Sequence, residues 1–494
     1  MALETARFKQ LCNHLANLPL LGKAPPAPPW GTRPTRQKIV NAINSGASSL
    51  PPEYEAGYLT PLLNQLDTVI NRSRGDMEPL VAPIYEHDPP FGVTPQLRRF
   101  LAVISNLYRS FLNGAKRSAI DAPIVGQLPP LAFFQNDGRL GPYTIPAGSD
   151  EADISTLFDT KIGVVSLPST NKDHPLIWGA LAHETGGHDV LHADPGLLPE
   201  LANGVRALFG VGNIDSGQTL NEDQLLGVLW SYWIDEAASD VYGLLNLGPE
   251  FALNLIAFFA GLNGDPVPSL RTDSGADETG QLDPHPTDIL RVHLAIGVIE
   301  NLVKLADSTR NQYIADLKSL AVLCGHGATS VQLSGILREH DVMIDVQNTM
   351  PLAEMQEAAR RVGAHISTAS LKAFGKDGAS HSVQEIETWD DLDEQISQRI
   401  ALNLKQGKSV VNFGDDAQLI AGATLTLCAE PDKYDSVTQL LNDALDFSFQ
   451  TDPYWGSPLL HPMFSRPRLA EMGRARTPAA SRRKNKRRKK TVKS

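Results

Sequence analysis

The sequence predicts a mainly helical α+β protein with a small sheet ahead of a histidine-rich helix, and three observations carry that expectation. Apolar residues recur at spacings of three and four along most of the chain. One region, Ala132 to Pro168, instead holds short β-branched and aromatic runs between turn signals. The stretch LIWGALAHETGGHDVLHAD, Leu176 to Asp194, gathers three histidines, a glutamate and two adjacent glycines in what otherwise reads as one amphipathic helix.

At 494 residues, with 42% apolar and 20% charged residues, the chain exceeds what one compact core usually holds. We expect an N-terminal helical region (1–90) with a proline-rich linker at Gly22 to Pro34, a domain around the histidine motif (91–310), a mainly helical C-terminal domain (311–467) and a disordered basic tail (468–494). Residues 474–494 contain eleven Lys or Arg and no acid, so the net charge of −12 hides a strongly acidic body. The tail reads as a polyanion-binding arm, for nucleic acid or a nuclear import receptor, or as a solubilising terminus. Cys12, Cys324 and Cys428 form no CxxC pair, which excludes a disulfide framework and a thiolate metal site from the expectations. The longest nearly apolar run, Phe251 to Leu262, is too short to cross a bilayer, and the first residues lack a signal-peptide core. A soluble intracellular protein, cytoplasmic or nuclear, is expected.

Taking the elements in order, residues 1–22 read as helix, helical patterns resume near Arg36, and Gln96 to Leu112 has a broad apolar face. LAFFQ, YTIPA and KIGVVSLP read as three strands. Two further helices are expected at Gln224 to Leu245 and Thr287 to Ala306, joined by the Gly-, Pro- and Asp-rich segment Gly264 to Pro286. Beyond residue 310 the pattern is mostly helical, Leu352 to Ile366 being amphipathic, with strands or a buried helix at Ser409 to Leu427 and the end of ordered chain near Pro467.

Two glycines inside a helix cost about 1 kcal/mol each relative to alanine, so Gly186 and Gly187 ask for a reason. Residues five apart lie about 140° apart around a regular helix, and His183 and His188 therefore cannot aim at one ion unless one extra residue is absorbed. A single π-helical turn absorbs it, and the glycines make a wide turn and a close backbone neighbour cheap. Glu184 directly follows the first histidine. A third ligand is expected in WSYWIDEAASDVYGLL: Glu236 as ligand, and Asp240, one helical turn on, accepting the second N–H of a ligating histidine. On an otherwise apolar helix these carboxylates are costly to bury without a cation.

The pair of motifs resembles the gluzincin type of zincin zinc metallopeptidase. His183-Glu184-Thr185-Gly186-Gly187-His188 is similar to the HExxxH variant of the dipeptidyl-peptidase III family, and Asp235 to Asp240 to its EExxxD motif with Asp in place of the first acid. The resemblance is confined to these motifs. It implies a zincin-like catalytic domain, Zn²⁺ held by His183, His188 and Glu236, Glu184 as general base, and peptide or protein substrates. It also implies an edge strand beside the site helix that pairs with an extended substrate, for which Lys161 to Leu167 is placed, and a histidine or arginine that stabilises an oxyanion, for which His285 and Arg291 in DPHPTDILRVHL are candidates. Two other readings stand beside it. His188-Asp189 is the dyad of HD-type phosphohydrolases, although the usual Gly-Lys does not follow; the other is a non-catalytic zinc-stabilised binding protein. His192 reads as a residue of the helix end near Asp194, and Trp230 and Trp233 as core.

Overall fold

The computed structural model describes residues 3–17, 35–47, 50–72, 78–86, 94–121, 123, 126, 128–135, 141–147, 162–212, 214, 220–264, 267–277, 279–339, 342–375 and 378–455. The proline-rich linker, the expected end of structure near Pro467 and the basic tail lie outside the described residues.

Helices α1 (Thr5–Ala16), α2 (Arg36–Ala47), α3 (Thr60–Arg72) and α4 (Glu78–Tyr85) precede the long α5 (Pro95–Leu112) and the short α6 (Ala115–Ile120). At the start of α5, Thr94 accepts the Leu97 N–H at 3.2 Å, and Pro95 occupies the first turn, where a missing N–H costs nothing.

The three strand-like runs form β1 (Leu131–Gln135), β2 (Tyr143–Ile145) and β3 (Val164–Pro168). Their order is β1-β3-β2, with β3 parallel to β1 and antiparallel to β2. This corrects the role expected for Lys161 to Leu167. All five residues of β3 are buried, the pattern of a central strand bonded on both sides, so the edge beside the site helix is β2.

The site segment is one winding of changing pitch: a 3₁₀ turn (Ile177–Ala180), α7 (Leu181–His183), a π-helical turn (Glu184–Asp189) and α8 (Val190–Ala193). After α9 (Leu197–Leu208) comes a second correction: the expected helix from Gln224 to Leu245 is two helices, α10 (Glu222–Tyr232) and α11 (Ile234–Leu247). Trp233 closes one, its N–H bonding Leu229 O at 2.9 Å, and opens the other by accepting Ala237 N–H. Helix α12 (Pro249–Leu262) follows through Gly248, whose φ of +79° favours glycine.

The next connection carries β4 (Asp273–Ser274), and α13 (Asp288–Glu300) is shorter than expected from Thr287 to Ala306. After α14 (Asp307–Cys324) the chain makes a hairpin, β5 (Ser330–Glu339) and β6 (Val342–Pro351), in a stretch expected to be mostly helical. Val331, Leu333 and Leu337 are buried on alternate residues, the period of a half-buried strand. The rest is helical: α15 (Leu352–Thr368), α16 (Val383–Ile386), α17 (Asp391–Lys405), α18 (Asp416–Ala429) and α19 (Tyr434–Thr451). Helix α18 settles the alternative left open for Ser409 to Leu427.

One large core runs from Phe8 to Leu445 and includes Trp230 and Trp233, both fully buried. A smaller core joins α2, α3 and α4 to Leu131, Phe133, Ile145 and Val164 on the sheet. Among the described residues no helix is long and apolar enough to cross a membrane.

Candidate metal centre

The π-helical turn spans the five-residue gap between the two histidines, and it brings their rings edge to face with centroids 4.8 Å apart. Gly187 makes the turn possible at this place. A Cβ there would lie 2.4 Å from Ser239 Cα, so only glycine lets the turn press against α11. Gly186 is less tightly held, its Cβ position lying 3.0 Å from Asn246 Nδ2.

Helix α11 brings the carboxylates. The break at Trp233 puts Asp235 and Glu236 in the first turn of α11, where the helix dipole favours negative charge, and Asp240 one turn further on the same face. One ligand atom each from His183, His188 and Glu236 lies within 4.8 Å of the other two. His183 Nε2 is 3.2 Å from Glu236 Oε2, and His188 Nε2 is 3.4 Å from Glu236 Oε1. Ligand atoms about 2.0–2.1 Å from a tetrahedral ion stand about 3.3 Å apart; each imidazole meets a different Glu236 oxygen at close to that spacing, and the group could hold a metal ion. The buried Glu236 Oε2 accepts no well-formed hydrogen bond, as expected of an oxygen kept for an ion.

Each imidazole turns its other nitrogen to a carboxylate. His183 Nδ1 is 2.9 Å from Asp240 Oδ1, and His188 Nδ1 is 2.9 Å from Asp235 Oδ1. Nδ1–H donation to those oxygens leaves both Nε2 lone pairs facing the common point. Asp235 was read from sequence only as a departure from the EExxxD motif; its adjacency to Glu236 was the available signal. Its other oxygen lies 3.3 Å from His192 Nε2, which gives His192 a place beside the centre.

Burial opposes charge on both imidazoles, yet the carboxylates around them win. Glu236 and Asp235 raise His188 well above its ordinary pKa, and Asp240 and Glu236 raise His183. Burial likewise pushes Glu236 up, but the two imidazoles bring it well below the usual carboxylate range. The buried guanidinium of Arg291 sets one positive charge directly against Asp240.

Arg291 is where the oxyanion expectation needs correcting. It is 6% exposed, donates from Nε and Nη2 to both oxygens of Asp240 at 2.6 Å, and packs over the Phe259 ring, so it stands behind His183 and not before a substrate. His285 faces the centre. Its Nε2 is 3.3 Å from Glu236 Oε1 and its Nδ1 2.7 Å from Asp283 Oδ1, a carboxylate held down to about 2: burial opposes this, and its bonds with His285 and the Arg271 charge outweigh burial. The segment is pinned to the helix break, with Trp233 Nε1 donating to Asp283 O at 3.0 Å and Tyr232 Oη to Leu282 O. The half-exposed His285 and Asp235 mark the side from which solvent reaches the centre.

Glu184 is buried, and its Oε2 accepts from Thr144 Oγ1 of β2 at 2.8 Å. Sequence reasoning did not single out Thr144. Asp189 turns away from His188: Ala147 N–H donates to its Oδ1 at 2.8 Å, and Gly163 packs against it, so the HD dyad does not face one ion.

No protein-family model matches the chain, and no curated protein or solved structure matches it either.

Proposed function

We propose that the protein is a zinc-dependent hydrolase that cleaves peptide bonds. The observation that supports this best is the turning of His183 Nε2 and His188 Nε2 toward the Glu236 carboxylate while both Nδ1 atoms are held by aspartates. His183, His188 and Glu236 would hold the ion, and Asp240 and Asp235 would orient the two imidazoles. When bound, zinc supplies Lewis-acid chemistry, which polarises a carbonyl and makes water acidic near neutral pH. Glu184, oriented by Thr144, takes the proton of the attacking water and passes it to the leaving amine. His285 offers its Nε2 to the developing oxyanion from the solvent side. Strand β2 is the last strand in the sheet order and borders the π-helical turn, and an extended peptide substrate would lie along it.

The HD-type phosphohydrolase reading loses its support with the orientation of Asp189. The test is elemental analysis of the purified protein together with digestion of a peptide library, with and without chelator. One zinc per chain and chelator-sensitive cleavage are expected. Zinc retained without cleavage would favour the non-catalytic binding protein, and zinc retained by the His183→Ala, His188→Ala double variant would end the assignment.

A further inference from the structure

The two histidine arms of the centre are built differently. Behind His188 stands Asp235, whose side chain is 31% exposed and whose other oxygen lies 3.3 Å from His192 Nε2. Behind His183 stands Asp240, whose side chain is 6% exposed and gripped at both oxygens by Arg291, itself fixed against Phe259 with its guanidinium carbon 4.8 Å from the ring centroid. We propose that Arg291 is the positioning residue of this centre: it locks Asp240 and thereby makes His183 the fixed arm to which a divalent cation is fitted, while His188 is the compliant one. The inference rests on the metal reading above.

The physical argument is a competition for one ring nitrogen. Arg291 Nη2 lies 3.3 Å from His183 Nδ1 and Asp240 Oδ1 lies 2.9 Å from it. Were Arg291 to donate to Nδ1, the proton of the neutral ring would sit on Nε2 and no lone pair would face the centre. Nη2–H lies closer to Asp240 Oδ1, at 2.6 Å, than to Nδ1, at 3.3 Å, and this preference leaves Nδ1–H to donate to Oδ1. A bidentate fork also removes the rotation of the carboxylate, which a single point charge does not.

The test is zinc affinity by chelator competition and the visible spectrum of the cobalt-loaded protein, for the full chain and for Arg291→Met, Arg291→Lys and Asp240→Asn. Loss of a partner that orients a ligating histidine is expected to weaken zinc binding about 10- to 100-fold in Arg291→Met and to alter the cobalt bands. Arg291→Lys, which keeps the charge but not the fork, should fall between the two. Wild-type affinity and spectrum in a folded Arg291→Met protein would overturn the role; if that variant does not fold, the same result in both Arg291→Lys and Asp240→Asn would overturn it. A wild-type protein that binds neither zinc nor cobalt would overturn the metal reading itself, and this role with it.

Discussion

His183 and His188 meet edge to face, ring centroids 4.8 Å apart, although five residues separate them and a regular helix would point them about 140° apart. The π-helical turn between them converts an unfavourable spacing into a shared focus, and its cost is borne by the packing of the turn against α11.

Gly187→Ala should therefore damage the centre from behind. A methyl group 2.4 Å from Ser239 Cα must push the turn off α11, with a stability loss of about 1–3 kcal/mol. Gly186→Ala meets the Asn246 amide at 3.0 Å and the Phe111 ring at 3.5 Å, side chains and not backbone, and should lose less. Thermal melts with and without zinc check this; equal losses for the two variants would contradict it.

Glu184→Gln should keep its zinc and lose hydrolysis, by about 10²- to 10⁴-fold for a missing general base. Thr144→Val removes the hydroxyl that orients Glu184 and should lower turnover with little change in KM, whereas Thr144→Ser should restore it. Steady-state kinetics on a peptide found in the library digest would measure both.

His285→Ala should bind zinc nearly as the wild type does, since His285 lies outside the tight group of His183, His188 and Glu236. Its hydrolysis should fall about 10²-fold or more if Nε2 serves the oxyanion. A large loss of zinc affinity would instead make His285 a ligand.

Away from the centre, Asp416 at the start of α18 is 3% exposed, and burial raises its pKa to about 7. The native state therefore holds a proton that the unfolded chain releases near pH 4, and stability should fall as pH rises from about 4 to 7 and then level off. Asp416→Asn should remove this part of the slope and raise the melting temperature at pH 8. Melting curves across that range decide it.

The chemistry of the centre was more legible in the sequence than its surroundings. Ligand types at fixed spacing reveal themselves without coordinates, as with His183, His188, Glu236 and the turn they require. Strand order does not, because the apolar run of β3 fits a central or an edge position until its neighbours are known. The break at Trp233 has no glycine or proline to announce it, yet it sets Asp235 and Glu236 in a first helical turn. The hairpin after Cys324 carried a period-two signal at Val331, Leu333 and Leu337 that the surrounding helical texture masked. The function of Arg291 depends on α13 packing beside α11, a tertiary relation that no spacing encodes.

The central claim is that two imidazoles and one carboxylate converge on a single cation, and X-ray absorption at the zinc edge of the loaded protein tests it most directly. The account predicts two imidazole nitrogens and a carboxylate oxygen at about 2.0–2.2 Å, with one imidazole lost in His183→Ala and one in His188→Ala. A shell without imidazole, or one unchanged in both variants, would contradict it.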